Sequence, residues 1–184
     1  MAHDNRSIVE KYLRHKLVKR GLAWEGPRSP GPPDAPLDRV LREAGDELER
    51  LYQPDFVEMS RQLQLTAVAA ERRFTAVMDE LFRDGVNWGR IIAFFEFGGT
   101  VCVECVNREM TAQVDNIAGW MTEYLDGPLQ AWIQENGGWE AFVELYGQQQ
   151  SSAFRSSWSS IASVFGLAAL GAVGLTIGAY LAQK

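Results

Sequence analysis

Two cysteines three residues apart, Cys102 and Cys105, two histidines, His3 and His15, and one arginine at the head of an apolar run, Arg90, are the side chains here that invite chemistry. A Cys-x-x-Cys pair holds zinc only with further ligands, and it works as a redox couple when it stands at an exposed helix start. Both histidines belong to the first helix, and both cysteines fall deep inside an apolar segment. Buried, reduced packing thiols are therefore expected, in keeping with a cytosol-facing protein. There is no phosphate-binding glycine loop, nucleophile elbow or metal-ligand cluster, and neither histidine has a catalytic partner in sequence. The chain reads as a binding protein and not an enzyme, with no cofactor and no metal.

Arg90 sits beside Gly89 in Asp84-Gly-Val-Asn-Trp-Gly-Arg90. An unpaired guanidinium is unfavourable in an interior, and an isolated first-turn arginine is most often solvated. A cation at the mouth of an apolar surface, next to a residue without a side chain, suits a carboxylate carried in by another helix. The elements that position it are legible. Asp84-Gly85 stops one helix, Asn87 caps the next, and Trp88, Ile91, Ile92, Phe95, Gly98, Gly99, Cys102 and Val106 recur at helical spacing. Phe94, Phe97, Val101 and Val103 fill the other faces, so this helix has almost no polar side and must be wrapped by others. Gly89 and Arg90 are expected at its exposed start.

At 184 residues and 46% hydrophobic content, one domain with an appendage is expected, around a substantial core. The formal charge is −6, unevenly spread: residues 1–20 carry Arg6, Lys11, Arg14, Lys16, Lys19 and Arg20 against Asp4 and Glu10. The arginines form no nucleic-acid footprint. The basic first helix has three readings: packing on the acidic body, meeting an anionic membrane or partner, or, most commonly for such a face, solvation.

Residues 4–21 read as that helix, with Ile8, Val9, Tyr12, Leu13 and Leu17 as its apolar side, and residues 22–36 as a proline-rich linker. Leu37, Leu41, Ala44 and Leu48 form a stripe at i, i+4, i+7 and i+11 over 37–52. Pro54 breaks or restarts that helix, and Phe56, Met59 and Leu63 mark a short third one. Thr66–Arg83, the central helix, Thr111–Leu125 and two short helices carrying Trp132 and Trp139 follow, and no strand pattern competes. The fold class is all-α: a helical bundle core over 37–150 around a central hydrophobic hairpin, plus a C-terminal transmembrane helix. That last element rests on Ser156–Gln183, which lacks any charge, and on the 22 mostly apolar residues Ile161–Ala182. A span takes about 20 helical residues. A tail anchor over 158–182 is expected, with the bundle left in the cytosol.

The wording of these segments resembles a known family. Residues 84–90, within an 80–99 segment, resemble the first homology motif of the B-cell lymphoma 2 family of apoptosis regulators. Asp4–Leu17 resembles its fourth motif, Leu41–Leu48 its third, and Trp132–Tyr146, within 131–146, its second. The resemblance is to the pro-survival branch. It implies a surface groove that sequesters the amphipathic death-motif helix of pro-apoptotic relatives and blocks mitochondrial outer-membrane permeabilisation. Tyr52, Phe56, Met59, Val77, Leu81, Ala93, Phe97 and Tyr146 would line that groove, Arg90 would pair with a ligand aspartate, Gly89 would admit the ligand backbone, and Asn87 would add a polar contact or cap. It further implies homo- or heterodimers, and residence on the mitochondrial outer membrane, endoplasmic reticulum and nuclear envelope. The competing reading is a membrane-permeabilising, pore-forming effector of the same fold, which Glu96 and Glu104 on the apolar hairpin oppose.

Overall fold

The computed structural model describes residues 4–22, 24, 35–62 and 70–148. Seven helices are built from them: α1 (Asn5–Lys19), α2 (Pro36–Gln62), α3 (Ala70–Leu81), α4 (Trp88–Asn107), α5 (Ala112–Asp126), α6 (Gln130–Glu135) and α7 (Gly138–Gln148). There is no strand among the described residues. The all-helical expectation holds. The proposed anchor at 158–182 lies outside these residues, and none of the described helices is long and apolar enough to cross a membrane.

Central in this bundle is α4, with sixteen of its twenty residues buried, as its lack of a polar side requires. Asn87 caps it as expected, in extended backbone, its side chain accepting from the Arg90 N–H at 2.8 Å. Upstream, α3 stops at Leu81, before the expected Arg83, and the chain turns through Gly85 at φ +124°. The expected start of this helix at Thr66, and Leu63, lie outside the described residues.

Around α4, α1 buries Ile8, Val9, Tyr12, Leu13 and Leu17, with Asp4 as its N-cap. Helix α2 lays Leu37, Leu41, Ala44 and Leu48 into the core, each at most 2% exposed. The expected break near Pro54 is present: within residues 36–62 the backbone is non-helical at Tyr52, two residues ahead of Pro54, so α2 is two helical stretches joined at a kink. A proline ring crowds the preceding turn, and the kink is where that strain is released. The second motif falls on α6 and α7, which dock on the start of α4 through Trp88. Its ring lies 4.9 Å from Trp132, 5.6 Å from Trp139 and 5.3 Å from Phe142.

Within the linker, Trp24 is tied to the bundle. Trp24 is buried, its indole N–H donates to Asp115 of α5 at 3.2 Å, and Arg14 of α1 stacks over its ring while donating to its carbonyl.

Candidate functional site

Arg90 is where the structure departs most from expectation. Instead of standing at an exposed helix start, Gly89 and Arg90 are both buried, Arg90 at 7% exposure. The reason is the turn before α4, which brings the guanidinium back onto the end of α3. Arg90 Nη1 donates to the Leu81 carbonyl at 2.9 Å. That carbonyl closes α3, so the cation meets both an orphan acceptor and the negative end of a helix dipole.

Of the expected groove residues, Phe56, Val77, Leu81, Ala93, Phe97 and Tyr146 are all buried, none above 4% exposed. Tyr52 and Asn87 are half-buried, and the Met59 side chain lies outside the described residues. Phe97 and Val77 share the α3–α4 interface with Phe74, whose ring stacks 5.8 Å from Phe97 and lies 5.7 Å from Trp120 of α5. Tyr146 packs 4.9 Å from Phe142 on α7. These residues belong to one continuous apolar core.

On the other side of α4 lies a charged cluster that motif reasoning did not find. Lys16 of α1 is 1% exposed, with Nζ 2.7 Å from Glu49 of α2 and 2.7 Å from Glu96 of α4. Tyr12 donates its hydroxyl to the same Glu96 oxygen. At the rim, Asp46 is approached by His15 at 3.3 Å and Lys19 at 3.0 Å, and Glu49 by Lys19 and Arg20. So the basic face of α1 packs on the acidic body, the first of its three readings.

Glu96 is 0% exposed and its Oε2 has no hydrogen-bond partner. Burial pushes its carboxyl up to about 7, with Lys16 and Tyr12 pulling the other way. Burial also works to raise Asp46 and Glu49, but hydrogen bonds from His15 and Lys19 to the first, and from Lys16 and Lys19 to the second, hold both below the usual carboxylate range. Two signals stood in the sequence: a lysine on the apolar stripe of α1, and a glutamate amid Phe94, Phe95 and Phe97.

Two glycines make this closeness workable. A methyl on Gly45 would run into the Tyr12 hydroxyl and come within 2.9 Å of Glu96, and one on Gly99 would come within 2.8 Å of the Lys16 stem. Gly45 of the third motif thus serves the internal seat of α1.

Cys102 and Cys105 are free and buried. Burial pushes the Cys102 thiol well up and that of Cys105 to about 11, so neither is a thiolate at neutral pH. His15 faces Asp46, but the cluster offers no nucleophile beside them.

Fold and site together define an all-α bundle, locked by an internal ion cluster and carrying at the start of its central helix a buried arginine next to a glycine. Residues 41–139 match the family described as "Apoptosis regulator proteins, Bcl-2 family", and the chain belongs to that family. It is 47% identical to "Apoptosis regulator Bcl-2" of Gallus gallus and 46% identical to that of Canis lupus familiaris, each over 99% of this chain and 97% of the relative. It is 46% identical to human "Bcl-2-like protein 1", over 84% of this chain and 88% of that protein. The chain is therefore an apoptosis regulator of this family, whose members are regulators and not enzymes. The chicken alignment spans 228 positions against 184 residues here, so that relative has internal residues this chain lacks.

Proposed function

We propose that this protein is a pro-survival regulator that captures the amphipathic death-motif helix of pro-apoptotic relatives between α2, α3, α4 and α7, with Arg90 as the partner of a ligand aspartate. The observation that carries this reading is the fate of the chain's own motif stripe. Leu37, Leu41, Ala44 and Leu48 are folded into the core, so α2 serves as part of a receptor wall and is not displayed as a ligand. The ion cluster of Lys16, Glu49 and Glu96 holds α1 on the bundle, which favours a stable receptor over an effector that opens.

The energetics suffice. Four apolar anchors contribute ~1.5–3 kcal/mol each and a charge-assisted pair ~1.5–3 kcal/mol. Ordering a disordered ligand offsets ~2–5 kcal/mol or more, leaving room for nanomolar affinity. A tail anchor at 158–182 would place the bundle on the cytosolic face of the mitochondrial outer membrane, endoplasmic reticulum or nuclear envelope. The test is fluorescence anisotropy of a labelled peptide with apolar residues at i, i+4, i+7 and i+11 and one aspartate, paired with liposome leakage. Sub-micromolar binding without leakage supports a sequestering regulator; leakage on adding the peptide supports the pore-forming reading.

A further inference from the structure

Helix α3 is seated on α5 as well as on α4. Trp120 and Tyr124 stand one turn apart on α5, and the chain of α3 meets both. The Phe74 ring lies 5.7 Å from Trp120, and the ring of Phe82, the residue after α3, stacks 5.9 Å from Tyr124, which itself lies 5.8 Å from Phe94 of α4. Between these ring contacts comes a polar grip: the Tyr124 hydroxyl donates to Asp79 Oδ1 at 2.8 Å. Tyr124 is 8% exposed and Asp79 is exposed, so a buried ring carries its hydroxyl out to a surface carboxylate. Burial, and then the bond to Asp79 and its charge, push that hydroxyl well above its ordinary range, so it stays protonated as the donor.

The placement on α3 is what gives this bond leverage. At 3.6 residues per turn, Val77 and Leu81 lie about 40° apart around the helix axis, and Asp79 lies about 160° from each. The hydrogen bond therefore acts on the side of α3 opposite the two residues expected in the groove wall. Ring contacts are apolar and tolerate a small rotation, whereas a hydrogen bond has a required distance and direction.

We propose that Tyr124 is a positioning residue for the ligand site: by holding Asp79 it fixes the rotation of α3 about its own axis, and with it the place of Val77 and Leu81. This rests on the groove reading above. Without the bond, α3 turns on its ring contacts and Val77 and Leu81 swing with it, so an incoming helix has to reorder the wall as it binds. Coupling is reciprocal, and a helix packed on Val77 and Leu81 in turn steadies the bond behind them.

The experiment uses the full chain in lipid nanodiscs and a labelled helix peptide with apolar residues at i, i+4, i+7 and i+11 and one aspartate. Affinity and dissociation rate are read by anisotropy on the parent, Tyr124→Phe, Asp79→Ala and Asp79→Asn, and the Val77 and Leu81 methyl resonances are followed in the peptide-free proteins. Tyr124→Phe removes the donor, Asp79→Ala removes the acceptor, and Asp79→Asn keeps an acceptor oxygen. The expected result is about 10-fold weaker binding in the first two, carried by faster dissociation and accompanied by shifted methyls, with Asp79→Asn within about twofold of the parent. Tyr124→Phe combined with Asp79→Ala should bind no worse than either alone, since one bond is lost in each case. Parent-like affinity or unmoved methyls in the folded donor and acceptor variants overturn the positioning proposal alone, as does a loss in Asp79→Asn equal to that in Asp79→Ala. A parent that does not bind the peptide overturns the groove reading, and the proposal with it. Asp79 is exposed, so its two variants carry the test even where Tyr124→Phe does not fold.

Discussion

Lys16 of α1 and Glu96 of α4 lie 2.7 Å apart with both side chains sealed from solvent, so the amino-terminal helix is fastened to the centre of the bundle by charge as well as by apolar packing. Two ions taken out of water offset their desolvation only when well paired, and removing one leaves the other stranded. Lys16→Ala or Glu96→Ala should each destabilise the protein by ~3–5 kcal/mol in chemical denaturation. The double change Lys16→Met with Glu96→Gln should recover much of that loss. Equal losses in single and double variants would mean the pair is incidental.

The close approach at Gly45 yields a sharper steric test. Tyr12 is 2% exposed and held between α2 and α4, so its ring has nowhere to retreat from a new methyl. Gly45→Ala should cost about 1–3 kcal/mol by overpacking. At Gly98, the obstacle to a methyl is the flexible end of Met121, and Gly98→Ala should cost less. Thermal melts of both variants decide the order.

Acidification should act in two opposite steps. Glu96 is raised to about 7, so its contribution to stability is complete below the unfolded carboxyl value of ~4.3 and is lost as pH rises through about 7. Asp46 and Glu49 are held low, so their contribution is present above that unfolded range and is lost as pH falls towards their folded values. Stability should therefore peak at mildly acid pH. Glu96→Gln should flatten the decline between pH 5 and 8 and leave the acid limb intact. A parent-like alkaline limb in that variant would place the raised group elsewhere.

Element types were legible because the cues were local: Asn87 as a cap, Gly85 as a turn, and the apolar periodicity of α1 and α4. The burial of Cys102 and Cys105 followed from the same periodicity. What escaped depends on pairings between distant segments. That Lys16 meets Glu96, or that Arg90 turns back onto Leu81, is set by how α1 and α3 pack on α4. The seam at Tyr52 was legible too, since Pro54 announced a break or restart and the backbone leaves the helix two residues before it.

The proposed anchor has a direct check. Residues 156–183 carry no charge, and truncation after Arg155 should release the protein from the membrane fraction. Leu170→Arg should impair anchoring by ~2.5–3.5 kcal/mol on the insertion scale. Carbonate-resistant membrane association of the truncated chain would contradict the assignment.

The central claim concerns Gly89 and Arg90, and calorimetric titration of an aspartate-bearing helix peptide into the parent, Gly89→Ala and Arg90→Ala proteins tests it most directly. Both residues are buried, so circular dichroism on the same samples must show each variant folded. The account predicts a loss of ~2–4 kcal/mol, roughly 30- to 1000-fold in affinity, for each folded variant. Parent-like affinity in both folded variants would contradict it and place the ligand surface elsewhere on the bundle.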